Sequence, residues 1–239
     1  VGSEMCIRDR FSHEYAYFSS YSSSFLNHAK KYLEKMVSRF SLDKNSIVLE
    51  VASNDGYLLD FVKKFNIECY GIEPTQSTAK VARSKGLNII EAFFSTDLAK
   101  KLARKQKSVD LAIANNVLAH VPDINDFVKG FAEILKKDGV ATFENPHLLE
   151  LTNGKQFDTI YHEHFSYLSL LTLQKIADSV GLEVVEAVEI QTHGGSLRVF
   201  LSHKDKITPT KNVKSLISRE KKHKLNDMEA FLNFQKSAI

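Results

Sequence analysis

The stretch "SIVLEVASNDGYLLD", residues 46–60, decides the fold. Its first part is a short apolar run with Ile and Val, the composition of a buried strand. From Gly56 the rhythm changes, and "GYLLDFVKKF" returns its apolar residues at helical spacing. A strand that turns directly into a helix opens a βαβ unit, and its meaning depends on whether the pattern repeats.

It repeats. "CYGIEP" predicts a second strand and "TQSTAKVARSKG" a helix closed by glycine, while "LNIIEAFF" and "STDLAKKLARK" form a third pair. "VDLAIANNV" predicts a fourth strand, "INDFVKGFAEILKKDG" a long helix ended by its Asp-Gly, and "VATFENP" a fifth strand. This spacing means a Rossmann-like α/β domain over residues 46–203, with a parallel sheet and helices on both faces. The ending differs. After the helix "TLQKIADSVG", the strands "LEVVEAVEIQT" and "GSLRVFLSH" are separated only by His193 and Gly194. A gap that short permits only a hairpin, so the sheet should end in an antiparallel pair.

Working outward, residues 11–45 read as a Tyr/Ser-rich segment, "YAYFSSYSSS", and an amphipathic helix. Phe25, Leu26, Ala29, Tyr32, Leu33, Met36, Val37 and Phe40 mark that helix's apolar stripe, and serines stand ready as its N-cap. The first ten residues, "VGSEMCIRDR", lack periodicity and read as translated adaptor sequence, so they are excluded from the fold. Residues 204–239 hold nine basic and four acidic residues, which suits a solvated helix or an anion-binding arm.

Hydrophobic content of 43% supports a sizeable core, and a net charge of +3 gives no whole-chain case for nucleic acid or membrane. Cys6 and Cys69 are too few for a disulfide framework or a cysteine zinc site, so a reducing cytoplasm is the expected setting. No apolar run approaches membrane-spanning length.

In an open parallel sheet, ligands bind beyond the carboxyl ends of the strands, which points to "EVASNDGYLL". Ala52 and Asn54 stand where a glycine-rich phosphate loop would have glycines, so a pyrophosphate pressed on this backbone is not expected. Glu50 and Asn54 better suit a zwitterionic amino-acid group, and Gly56 lets a ligand approach the backbone. Glu73, beside Pro74 at the end of the second strand, is placed to accept ribose hydroxyls.

The chemistry should lie in "YHEHFSYLS", which begins at Tyr161. In an extended segment His162 and His164 would share one side, and with Asp158 or His120 could bind a metal, but helical H-E-x-x-H spacing is absent. The alternative is acid–base work: Glu163 raises the basicity of His164, and Tyr161 donates to a developing oxyanion. A third reading is a polar loop whose histidines satisfy backbone groups. Asn116 and His120, after strand four, should converge on the same place.

"EVASNDG", "GIEP", "NNVLAHVPD" and "LKKDGVATFENP" together resemble class I S-adenosylmethionine-dependent methyltransferases. That resemblance implies Phe94 (or Phe93) near the adenine and Asn115 near the methionine part. "FENPHLLELTNGKQFDTIYHEHFSYLSLLTL", "YAYFSSYSSSFL" and "THGGSLRV" resemble the nucleotide-linked ketosugar C-methyltransferases of deoxysugar biosynthesis. It implies His164 as base, assisted by Glu163 and Tyr161, with Asn116 and His120 on the sugar. Tyr15, Tyr17, Ser19 and Tyr21 would line the pocket, and Arg198 or His193 would face the diphosphate. S-adenosylmethionine is the implied cofactor. Zinc is expected only in a four-cysteine N-terminal domain that family members carry and this sequence lacks. Members also continue past residue 239, so a fragment is expected. An O- or N-methyltransferase of another small molecule, or a non-catalytic cofactor binder, stays open.

Overall fold

Strand and helix alternate as the hydrophobic rhythm predicts. The computed structural model describes residues 18–191, 194–228, 231, 232 and 234. Helix α1 (Ser23–Arg39) leads into β1 (Ile47–Val51), α2 (Leu59–Lys64), β2 (Glu68–Ile72), α3 (Gln76–Ser84) and β3 (Ile89–Ile90). Then come α4 (Thr96–Arg104), β4 (Val109–Asn115), α5 (Ile124–Ile134) and β5 (Leu135–Pro146). Helices α6 (Leu148–Gly154) and α7 (Leu170–Ser179), strands β6 (Leu182–Ile190) and β7 (Ser196–His203), and helix α8 (Lys211–Lys222) follow.

The strands form one seven-stranded sheet in the order β3-β2-β1-β4-β5-β7-β6. β1 pairs in parallel with β2 and β4, and β2 with β3. β7 is antiparallel to both β5 and β6, the ending that the short gap required. Flanked on both sides, β7 is buried along nearly its whole length, whereas the edge strand β6 alternates toward its end. The chain forms two compact units.

Unit one runs to Ala114 and includes Glu133–Gly139. Its first helix is capped as expected: the Ser22 hydroxyl accepts from the Phe25 amide, and Ala29, Tyr32, Leu33 and Met36 are buried. β1 enters the core with Val48 and Leu49 fully buried, and Glu50 is its one polar residue.

Two expectations need correction here. The third strand is only two residues long, because "EAFF" bends away after Ile90. The long helix also stops at Ile134, and "LKKDG" belongs to β5 instead. Lys136 Nζ reaches Asp110 on β4 at 2.7 Å and draws this segment along the strand. Gly139 allows a tight pass there, since a Cβ would lie 3.1 Å from the Lys136 backbone.

Unit two comprises Asn115–Ala132 and the chain from Val140. Asp123 caps its first helix by accepting from the Asp126 amide at 2.9 Å. Between β5 and α7 lies a segment that the strand–helix rhythm did not predict: α6, a 3-10 turn at Phe157–Thr159, and the loop carrying Tyr161. Val213 and Leu216 of α8 are buried, while most of its basic residues face solvent, as the solvated-helix reading requires. Among the described residues no helix is long and apolar enough to cross a membrane.

Candidate active site

In unit one the carboxyl end of β1 runs into a turn of unusual backbone. Ala52, Asn54 and Gly56 all take left-handed conformations, with φ of 57°, 50° and 75°. Asparagine tolerates that region, and glycine adopts it without strain. The role expected for Gly56 changes, however. A Cβ there would sit 2.2 Å from Leu87 Cδ1, so the missing side chain serves packing against Leu87 rather than ligand approach.

Glu73 ties this turn to the end of β2. Its carboxylate accepts from the Asn54 amide at 2.8 Å and the Thr75 amide at 2.9 Å. Asn54 Oδ1 accepts from the Ser19 amide at 2.9 Å, so the N-terminal segment reaches the turn. Tyr21 is 83% exposed and leans on Phe18. Tyr15, Tyr17 and His193 lie outside the described residues. Phe94 is buried, while Phe93 faces solvent.

Glu50, Asp55 and Glu73 put three buried carboxylates close together. Burial pushes Glu50 well above the usual carboxylate range; a hydrogen bond from Tyr57 opposes this, and the charges of Glu73 and Asp55 add to it. Glu50 Oε2, Ser53 Oγ and Asp55 Oδ1 are buried without a hydrogen-bond partner. Orphaned acceptors beside crowded carboxylates fit a cationic ligand that carries donors of its own.

Unit two holds the second cluster. Asn116, also left-handed at φ 54°, is fixed by its amide, which donates to the Glu144 carbonyl at 2.6 Å. Asn115 Oδ1 is buried without a partner. His120 follows on a 3-10 turn, and its ring lies 4.8 Å from that of His164. Tyr161 packs on His164 at 4.3 Å, and Tyr167 meets its edge at 5.8 Å. Thus His164, His120 and Tyr161 do come together. His164 and Tyr167 line a small open cleft with Ala119, Asn145, Pro146 and Leu168.

The backbone of this loop overturns one premise. Residues 161–163 form a turn closed by the His164 amide on the Tyr161 carbonyl at 3.0 Å, not an extended run. The two histidines therefore do not act as a same-side pair, and His162 is exposed. Asp158 is exposed as well.

Hydrogen bonding sets the tautomers. His164 Nδ1 meets the Thr159 carbonyl at 2.9 Å, and His120 Nδ1 meets the Glu163 carbonyl at 3.0 Å. A carbonyl only accepts, so each Nδ1 carries the proton and each Nε2 the lone pair. Desolvation lowers the pKa of His164, outweighing the Thr159 hydrogen bond and the Glu163 charge. His120 is lowered too, by burial and then by His164. The expected gain in basicity from Glu163 is thus reversed in net direction, and what burial secures is a neutral ring. Tyr161 is pushed up by desolvation, which keeps its hydroxyl a donor.

Arg198, expected to face a diphosphate, is instead buried and ion-paired with Glu144 across the β5–β7 ladder. Two participants escaped the sequence reading. Thr159 acts through its carbonyl, which no residue pattern reveals; Tyr167 lay in view three residues beyond His164. Among the described residues, His147, Glu150 and Glu189 bring three metal-ligating atoms within 4.8 Å of one another. Arg219 pairs with Glu189 and lies 3.9 Å from Glu150, so a positive charge already stands there.

Against this geometry, known proteins can be compared. A family model described as a methyltransferase domain matches residues 25–187, and one described as a C-methyltransferase C-terminal domain matches residues 191–239. C-methyltransferase NovU of Streptomyces niveus is 35% identical over 190 residues, covering 80% of this chain and 45% of that protein. A ubiquinone biosynthesis O-methyltransferase of Bartonella quintana (strain Toulouse) is 26% identical over 98 residues, 41% of this chain and 40% of its own length. The chain therefore spans less than half the length of these curated relatives. Among solved structures, the PH0226 protein of Pyrococcus horikoshii OT3 superposes with a TM-score of 0.63 at 15% identity, over 79% of this chain and 95% of that one. Magnesium protoporphyrin IX methyltransferase of Synechocystis PCC 6803, with bound SAH, gives 0.59 at 14% identity, over 75% and 83%. At such identities these structures share the fold.

Proposed function

The chain belongs to the class I S-adenosylmethionine-dependent methyltransferases, and from that premise we propose that it methylates a carbon beside the ketone of a nucleotide-linked sugar. When bound, S-adenosylmethionine supplies an electrophilic methyl group on a sulfonium. The turn after β1 would hold it through Glu50, Asn54 and Glu73, where the crowded carboxylates of Glu50, Asp55 and Glu73 favour a cation. Methyl transfer to oxygen or nitrogen needs little beyond positioning, because the nucleophile brings its own lone pair. Transfer to carbon needs a base and a donor for the enolate oxygen.

The observation that carries the reading is the state of His164. Thr159 fixes its tautomer with the lone pair on Nε2, and desolvation keeps the ring neutral near pH 7. His164 Nε2 would take the proton from the substrate carbon. The Tyr161 hydroxyl would donate to the oxygen on which charge develops. Asn116 and His120 would position the sugar, and the field of Glu163 would favour the transient imidazolium. The ketosugar substrate is supported by the resemblance of "YHEHFSYLS" to its family, and carbon as acceptor by the C-methyltransferase relative.

The test is exchange of the substrate α-proton for solvent deuterium with the methyl donor withheld. Exchange with a nucleotide ketosugar supports carbon methylation. Its absence, with methyl transfer intact on another acceptor, favours the O-methyltransferase reading that the ubiquinone relative suggests.

A further inference from the structure

The catalytic loop has a neck. His147 forms an isolated parallel bridge to Leu168, and the Leu148 amide donates to the Leu168 carbonyl at 3.1 Å. Twenty residues of chain therefore leave β5 and return to one point at the start of α7. At that point sits Glu220 from α8, distant in sequence and fully buried.

Its two carboxylate oxygens accept three hydrogen bonds. Oε1 takes His147 Nε2 at 2.7 Å and the Leu170 amide at 2.8 Å, and Oε2 takes the Leu171 amide at 2.8 Å. One side chain thus grips both sides of the neck: the residue just after β5, and the first turn of α7. Amides of a helix's first turn lack intrahelical partners, and the dipole there favours negative charge, so this is a strong seat for a carboxylate. His147 is itself fully buried.

The loop's far end is held more lightly, by the Phe165 amide on the Ala119 carbonyl at 2.7 Å and by His120 on the Glu163 carbonyl. His164 lies between these two attachments, and Asn145 and Pro146 of the cleft directly precede His147. We propose that Glu220 is a positioning residue: from the C-terminal helix it clasps the neck of the catalytic loop and so sets where His164 sits. The region matched as a C-methyltransferase C-terminal domain would then act on the chemistry through the loop it anchors. This rests on the reading of His164 as base.

Glu220→Gln keeps the side chain's size and replaces one accepting oxygen with an amide NH2 that donates and cannot accept. Amide hydrogen exchange, read peptide by peptide without substrate, should rise about tenfold across residues 155–168 and stay level in β1, β2 and β4. With substrate, kcat should fall about tenfold while KM stays within about twofold, the mark of a displaced base rather than lost binding. Lys214→Gln, exposed on the same helix and outside the clasp, should change neither. Should E220Q fail to fold, His147→Leu removes one of the three bonds and should give a smaller rise in the same peptides. Wild-type loop protection and kcat in E220Q, or a uniform rise across the sheet, would overturn the clasp. A wild-type enzyme that never exchanges the substrate proton overturns the base instead, and leaves the amide result standing.

Discussion

The turn after β1 and the loop around His164 are both polar, but they are built in opposite ways. The turn, Glu50 to Gly56, is almost entirely buried, and three of its residues hold left-handed backbone. Its shape is fixed by main-chain geometry, by Glu73 on two amides and by Leu87 against Gly56. The His164 loop is partly exposed, and hydrogen bonds hold it: Thr159 on the ring, Ala119 and His120 at its far end, Gln156 on the Gly194 carbonyl, and the neck at its base. One region is buried, with packing and hydrogen bonds both fixing it; the other is partly exposed and rests mainly on hydrogen bonds.

The sharpest way to break this contrast is at the ring. His164→Asn removes the proposed proton acceptor but leaves the buried turn untouched. Turnover should fall by about 10² to 10⁴-fold, the usual contribution of a general base. Calorimetry should find donor affinity nearly unchanged, and circular dichroism a normal fold. A mutant retaining full activity would remove His164 from the mechanism.

The reverse experiment strikes the rigid region. Gly56→Ala forces a side chain into left-handed backbone and against Leu87 Cδ1, which lies 2.2 Å from the ideal Cβ position. Left-handed strain and overpacking together should destabilise the protein by about 2–4 kcal/mol, read by urea denaturation. Donor affinity should fall with it. A variant as stable as wild type would mean that the turn is less constrained than its packing implies.

This division also explains what the sequence made legible. Strand–helix periodicity follows from burial, so β1 through β7 could be read from residues alone, and the two-residue gap before Gly195 forced the antiparallel end. "LKKDG" misled because its Asp-Gly looks like a helix stop, while a lysine reaching Asp110 extends the strand assignment back to Leu135. The polar residues of "YHEH" announced a centre but not its geometry. Alternation on an extended strand would have paired His162 with His164, and only a three-dimensional turn separates them. Arg198 shows the same limit from another side: its charge was visible, but Glu144, 54 residues away, was not its partner in any sequence pattern.

The smallest effect concerns Glu163, and it tests how finely the exposed loop is tuned. As the proposed base, His164 must be neutral to accept a proton, and burial holds its pKa below the ordinary imidazole value. The acid limb of kcat/KM should therefore fall below pH 6.5, with activity lost only as pH drops through the lowered pKa. Stability follows the same sign. Below pH 6.5 the unfolded chain binds protons at positions 120 and 164 before the folded one does, so stability declines as acid is added across that window. Glu163 acts against this shift, but it is the weakest of the three influences on the ring, after burial and Thr159. Glu163→Gln should therefore move the acid limb further down in pH and change the plateau rate less than about fivefold. A limb that moves upward, or a loss as deep as that of His164→Asn, would show the carboxylate taking part in proton transfer itself rather than tuning the imidazole beside it.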